Sequence, residues 1–579
     1  MFKRLHQVSI LSIIGVACCF AALIIAGTAT APAQQQPAAA IASLSAVAPV
    51  MDCAQLPAAH IAAATGTPLH ITAAAVVQDG VPAAYCDVQG YVEPHIQFEV
   101  RLPVKGWTQR FLETGCGGQC GNLEIRLTNY KGCDPAEHGE LALASTDMGH
   151  RGGIDGVWAK DNAQAKIDFA YRGVHETAVA AKAVIAKYYG QEAKYSYFTG
   201  CSDGGRQALM EAERYPSDFN GLVAGAPGMN FITQNTFYHG WNARVNTGAD
   251  GRPIITADDL PILHRAALSA CDELDGLKDG LISDPRACHF DPSVLLCKPG
   301  ENPDGCLSAA KVQAAREIYK GAHTADGEQL VISGPEPGSE LAWAGVYVPK
   351  SAGQPIASRV YAEGTLKYLV FKKDPPASYT IADLGFDRAT FDAIKPMHAI
   401  YDTTDPDLSS FINAGGKLLL WHGWHDPHIS PLNSIAYYGA MQALLGKQKV
   451  DGSVRFYLFP GVYHCGGGEG PFNVDMLTPI MLWVERGTAP YELIASRPGV
   501  PAEDSQASKP AVTRPVFPYP LVARYTGKGD VNDASNWIAE QPKTPSQDRF
   551  NWLGASFYSG HYEKWCTGDG AAMTCRDSK

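Results

Sequence analysis

Short apolar runs bounded by turn residues alternate with helical stretches through the middle of the chain. Leu141 to Thr146, Tyr195 to Thr199, Lys417 to Trp421 and Val454 to Phe459 read as buried strands. Between the first two, Phe169 to Tyr189 carries an alanine-rich 3.6-residue periodicity that stops at Gly190. Arg206 to Tyr215 reads as a second helix, ended by Pro216. Strands alternating with helices predict an α/β fold. From about residue 229 to 395 the rhythm is lost, and Pro, Gly, Asp and Cys become frequent. That segment is expected to be an inserted lid domain between two parts of the sheet domain, 51–228 and 396–540. Residues 541–579 are a C-terminal extension with no assignable role.

The ends of the chain narrow the class. Lys3, Arg4 and His6 precede an uncharged apolar run from Val8 to Ala26, and Ala29-Thr30-Ala31 or Ala31-Pro32-Ala33 offers small-residue cleavage sites. Residues 1–33 therefore read as a secretory signal peptide, with an uncleaved membrane anchor as the competing reading. Residues 34–50 read as a flexible lead-in. Of 15 cysteines, Cys18 and Cys19 fall in the signal, and the thirteen that remain suit an oxidising compartment, secreted or periplasmic. An odd number leaves at least one thiol unpaired unless two chains are linked. Paired CxxC motifs are absent, so zinc is not expected. The net charge is −12, and no Lys/Arg cluster stands out, which argues against nucleic acid as a partner.

Two segments carry the chemistry. Gly200-Cys201-Ser202-Asp203-Gly204 has the GxSxG form, with a strand before it and a helix after it. Ser202 is the candidate nucleophile. Tyr463-His464-Cys465-Gly466 supplies a candidate general base, His464, placed last as a Ser…Asp…His order requires. A serine and its base approach to about 2.6–3.2 Å. That contact would bring Cys201 within disulfide range of Cys465. Asp426, just past a strand, is the candidate orienter of His464; Asp402, Asp405 and Asp407 precede that strand and suit turns better. His422, His425 and His428 have poor ligand geometry for a loop after a strand. The Asp203 N–H, with one from the glycine-rich Gly115-Cys116-Gly117-Gly118 loop, would hold an oxyanion, and Gly117 is the glycine chosen. Asp272, Asp275 and Asp279, with carbonyls of Leu277 and Leu281, could wrap a hard cation, and Cys271 and Cys288 would close that loop around structural calcium.

Gly-Cys-Ser-Asp-Gly-Gly, the Cys271–Gly280 loop and Tyr-His-Cys-Gly-Gly together resemble the tannase and feruloyl esterase family, from about residue 50 to about 540. Phe219–Pro227 and the late Pro518-Tyr519-Pro520 stretch share the likeness. The resemblance implies an α/β-hydrolase sheet with a large lid and a lid calcium. It implies Ser202, Asp426 and His464 as triad, calcium at Asp272, Asp275, Leu277, Asp279 and Leu281, and hydrolysis of small aromatic esters. Arg359 falls where terephthalate-monoester hydrolases of this family carry a carboxylate-binding arginine. Glu363, Gly364, Lys367 and Ile429 depart from that group, and a hydroxycinnamate or gallate-type ester is the expected substrate. A terephthalate monoester, or a non-catalytic binding role on the same scaffold, stands as the alternative. By analogy and spacing, Cys53 pairs with Cys86 and Cys297 with Cys306. Cys116, Cys120, Cys133, Cys566 and Cys575 are left unassigned, and a free Cys116 would be a reactive thiol beside the active site. Phe517 stands at a family cysteine position.

Overall fold

A computed structural model of the protein describes residues 40–300, 305–351, 353–499, 511–542 and 550–577. The signal peptide read at 1–33, and the start of the lead-in, lie outside the described residues. Nine strands form the main sheet: β1 (Leu69–Val77), β2 (Tyr85–Val92), β3 (Ile96–Pro103), β4 (Arg110–Thr114), β5 (Ala142–Thr146), β6 (Tyr195–Cys201), β7 (Gly221–Gly225), β8 (Lys417–Gly423) and β9 (Val454–Phe459). Their spatial order is β1-β2-β3-β5-β4-β6-β7-β8-β9. The first four neighbours pair antiparallel, and the ladder from β5 to β9 is parallel.

Side chains alternate across the parallel strands and feed two separate cores. Phe111, Phe198, Leu222, Leu418 and Phe456 join one; their neighbours Leu112, Tyr197, Val223, Leu419 and Tyr457 join the other. Both faces of the sheet are therefore covered, which is why these strands read as continuous apolar runs. Helices α1 (Gly173–Tyr189) and α2 (Asp203–Arg214) fill the first core with Ala178, Ala181, Val184, Ile185, Ala208 and Leu209. The Leu477–Arg486 helix fills the second with Ile480, Met481 and Trp483. Each large side chain buried this way contributes about 1.5–3 kcal/mol.

The expected strands and helices are present with shifted ends. The first helix starts at Gly173 because Asp168–Arg172 forms a wider, π-helical turn. The second begins at Asp203, directly after Ser202, earlier than its apolar periodicity suggested. The pattern reading passed over β7, whose ends are glycines. A Cβ on Gly225 would lie 2.5 Å from the Trp421 ring, so close packing there excludes any larger residue.

Between β7 and β8 the described chain adds nothing to the main sheet. It carries the helices Leu260–Cys271, Ala309–Lys320 and Ala357–Tyr368, and a small core around Leu263, Ile318, Trp343 and Tyr347. The described part of the C-terminal extension carries a hairpin, Lys564–Asp569 with Ala572–Asp577. It docks on the main body: Cys566 N–H donates to Tyr171 Oη (2.8 Å), and Arg214 Nη1 donates to Lys564 O (3.0 Å).

Six disulfides join Cys53–Cys86, Cys116–Cys120, Cys201–Cys465, Cys271–Cys288, Cys297–Cys306 and Cys566–Cys575. The open assignment of Cys116 is settled by its bond to Cys120, four residues later in the same loop. Among the described residues the free thiol is Cys133, which is buried; burial pushes its pKa up to about 11. Iodoacetamide at neutral pH should leave Cys133 unmodified in the native protein and alkylate it in guanidinium. Peptide mapping checks this, and rapid native labelling at Cys133 would contradict it.

Candidate active site

Ser202 occupies the turn between β6 and α2 with φ +66° and ψ −121°, a backbone region that non-glycine residues seldom adopt. Such a conformation costs about 1–3 kcal/mol and persists only where its surroundings enforce it. Here the Ser202 N–H donates to Gly225 O (2.9 Å), while Ser202 O accepts from Arg206 N (3.0 Å) and Gly228 N (3.1 Å). The turn is tight because glycines flank it. A Cβ on Gly200 would stand 2.5 Å from Gly204 backbone atoms, and one on Gly205 would stand 2.3 Å from Gly225 O.

The three candidates for proton transfer meet at this edge of the sheet. His464 Nε2 lies 2.8 Å from Ser202 Oγ, and His464 Nδ1 lies 2.7 Å from Asp426 Oδ2. Asp426 is fully buried and held by more than His464: its Oδ1 accepts the N–H groups of His428 (2.8 Å) and Ile429 (3.0 Å). His422 Nε2 stands 3.1 Å from Asp426 Oδ2, and its Nδ1 stands 2.8 Å from Ser434 Oγ. Burial alone would raise the Asp426 carboxyl, but the imidazoles of His464 and His422 outweigh it. The group is held below the usual carboxylate range. Cys201 and Cys465 are bonded with Cα atoms 5.8 Å apart, fastening the serine turn to the histidine loop.

A small cleft opens onto Ser202 and His464. Phe231, Gln234, His239, Tyr361 and His428 line it, together with Gly118 and Asp203. Burial lowers His428 to about 3, with help from His464, and holds His239 well below its ordinary value, so both rings are neutral near neutral pH. Tyr361 is pushed up to about 12 by burial and stays a phenol. His239 and Tyr361 stack with centroids 5.1 Å apart. The three histidines near Asp426 have diverged: His422 braces Asp426, His428 lines the cleft, and His425 is fully buried beneath Gly338.

Gly118, with φ +70°, lines the cleft next to Gly117. Arg359 is not among the lining residues; its guanidinium lies 3.7 Å from the Glu363 carboxylate, and its side chain is 44% exposed. Tyr361, from the same helix, takes the inward position. The sequence reading also passed over a polar brace behind the serine turn. Asp203 receives Arg206 Nε (2.6 Å) and Gln207 Nε2 (2.7 Å), and Gln207 Oε1 accepts the Cys116 N–H (3.3 Å). Arg206 is wholly buried and also donates to Ala170 O and Phe169 O. The i, i+3 and i+4 spacing of Asp203, Arg206 and Gln207 on α2 was the available signal.

The acidic loop is compact. Asp272 Oδ1 accepts the N–H groups of Asp279 (3.1 Å) and Gly280 (3.0 Å), and Asp275 Oδ1 accepts that of Leu277 (2.9 Å). Asp279 Oδ2 receives Arg514 Nη2 at 2.8 Å. Burial raises the carboxyls of Asp275 and Asp279, and the neighbouring aspartates raise them further. Backbone N–H groups, Ser283 and Arg514 occupy the oxygens of these three carboxyls.

A strained serine turn at the carboxyl edge of a largely parallel sheet, with histidine and aspartate from later loops, defines an α/β-hydrolase. The chain belongs to the tannase and feruloyl esterase family, whose model matches residues 76–539. It is 32% identical to mono(2-hydroxyethyl) terephthalate hydrolase of Piscinibacter sakaiensis, over 80% of this chain and 84% of that one. It is 31% identical to a probable feruloyl esterase B-2 of Aspergillus terreus, over 79% and 86%. The crystal structure of feruloyl esterase B from Aspergillus oryzae superposes with a TM-score of 0.70 at 29% identity, covering 82% of this chain and 97% of that chain. The protein is a carboxylic ester hydrolase of the feruloyl esterase and tannase type.

The buried brace makes a direct prediction. Arg206→Met should leave the Asp203 carboxylate buried without its cation and destabilise the fold by about 3–5 kcal/mol. Urea unfolding of the variant against wild type measures it, and an unchanged midpoint would contradict the assignment.

Proposed function

We propose that the protein hydrolyses aromatic esters of hydroxycinnamate or gallate type through an acyl-enzyme on Ser202, outside the cytoplasm. The observation that carries this reading is the continuous chain Ser202 Oγ–His464–Asp426, with both links at hydrogen-bond length and opening onto an aromatic cleft. Ser202 attacks the ester carbonyl while His464 Nε2 takes its proton and passes it to the leaving alcohol. Asp426 accepts the Nδ1 proton as a hydrogen bond and stabilises the imidazolium. The Asp203 N–H, at the start of α2, and an N–H of the Gly117-Gly118 turn are the donors for the oxyanion. Water, deprotonated by the same imidazole, then releases the acid.

The lining favours a neutral aromatic acyl group. Phe231 and Tyr361 offer ring surface, and neutral His239, His428 and Gln234 offer partners for phenolic hydroxyls. A terephthalate monoester presents a second carboxylate. No Lys or Arg is among the lining residues, and Arg359 stands beside Glu363. Six disulfides suit an oxidising compartment, in agreement with the signal peptide read at 1–33. Calcium at Asp272, Asp275 and Asp279 would neutralise their mutual repulsion and hold the loop.

A serine-directed phosphonate should label Ser202 and stop turnover. Ser202→Ala should lose at least about 10³-fold in kcat, and Asp426→Asn about 10³–10⁴-fold with KM little changed. Comparing kcat/KM for methyl ferulate, methyl gallate and a terephthalate monoester tests the substrate class. Preference for the monoester would overturn it, and an unimpaired Ser202→Ala variant would sink the mechanism. Separately, EGTA should lower Tm and calcium should restore it, with Asp279→Asn blunting both effects. Melting indifferent to chelation would remove calcium from the account.

A further inference from the structure

A second set of ligand-type side chains lies away from the cleft. Glu211 on α2, His175 on α1 and Asp218 in the loop before β7 bring one imidazole nitrogen and two carboxylate oxygens within 4.8 Å of one another. Glu211 is 2% exposed, and neither carboxylate oxygen has a hydrogen-bond partner. Glu113, on β4 and fully buried, has both oxygens unpartnered as well. Burial raises both glutamates; the Asp218 charge raises both further, and the Glu113 charge also acts on Glu211. The nearby ammonium is Lys182, whose Nζ lies 4.0 Å from Asp218 Oδ1. Three carboxyl groups thus sit beside one ammonium, and all four glutamate oxygens lack a hydrogen-bond partner. Unpaired buried carboxylates are costly, and native proteins satisfy them with a partner, a proton or a metal.

We propose that His175, Glu211 and Asp218 bind a divalent transition cation of the zinc or manganese kind, with Glu113 adding a compensating charge behind them. One imidazole and two carboxylates form the mixed nitrogen and oxygen set that such borderline cations take, unlike the all-oxygen loop at Asp272–Asp279. The imidazole is already oriented: His175 Nδ1 lies 2.6 Å from Asp218 Oδ2, and its ring stacks on Tyr215 with centroids 3.8 Å apart. The side chains of His175 and Asp218 are 19% and 12% exposed, so an ion and its remaining water ligands reach the group from solvent. The site ties α1, α2 and the loop feeding β7 into one unit behind the nucleophile, and its role is structural.

The competing occupant is a proton shared between Glu211 and Asp218. The purified, calcium-saturated protein is stripped with dipicolinate and titrated with zinc chloride and with manganese chloride by calorimetry, and Tm is followed in parallel. Wild type should take up one ion per chain and gain a few degrees in Tm at excess metal. His175→Ala and Glu211→Gln should each weaken binding by at least about 10-fold. His175 is partly exposed, so His175→Ala decides the matter if Glu211→Gln does not fold. Absence of binding in wild type, or binding unchanged in His175→Ala, overturns the proposal. A protonated Glu211 carbonyl band in the infrared spectrum of metal-treated wild type would overturn it in favour of the shared proton.

Discussion

The close crossing of β6 and α2 at Ser202 is the constraint from which the active site follows. The strand must turn into a helix within one residue, and that residue then carries positive φ. Gly200 and Gly205 admit backbone atoms at distances no Cβ tolerates, so the strain falls on Ser202 and its hydroxyl points out of the sheet. The surroundings that enforce this are specific. Gly225 O on β7 receives the Ser202 N–H, and β7 reaches Ser202 because Gly221 and Gly225 let it lie against Ile480 and Trp421. Strain at one residue is thus held by glycine-mediated packing of three adjacent elements.

Electrostatics complete the arrangement by keeping charge where the geometry needs it. Asp426 stays ionised in a fully buried position because two imidazoles and two backbone N–H groups face it. Arg206 donates to Asp203, and Gln207 carries that brace to the turn at Cys116. The neutral histidines of the cleft are the opposite case: they have lost their charge to burial and present polar but uncharged edges. The cleft thus presents uncharged imidazole and phenol edges beside Phe231, with the Asp426 anion held behind His464.

The parallel strands and their two helices were legible because burial on both faces leaves continuous apolar runs, as at Val454 to Phe459. Ser202, Asp426 and His464 were legible because each follows such a run. What escaped had other causes. Strand β7 is written in glycine and alanine, residues whose contribution is room for neighbours and not side-chain burial. The placement of Arg359 depends on Glu363, one helical turn away, which draws the guanidinium aside. The pairing of Cys116 with Cys120 was open because a loop with three nearby cysteines permits several connectivities.

The sulfur bridge between Cys201 and Cys465 closes a covalent ring of chain with a sequence separation of 264 residues. Strand β7, the whole insertion, β8, β9 and Asp426 lie inside that ring, while β1 to β5 and the C-terminal hairpin lie outside it. A single proteolytic nick within the insertion therefore linearises the ring without dividing the molecule. Both fragments stay attached through the cysteines beside Ser202 and His464. The most irregular part of the polypeptide can thus be cut once while Ser202 and His464 remain in one covalent body.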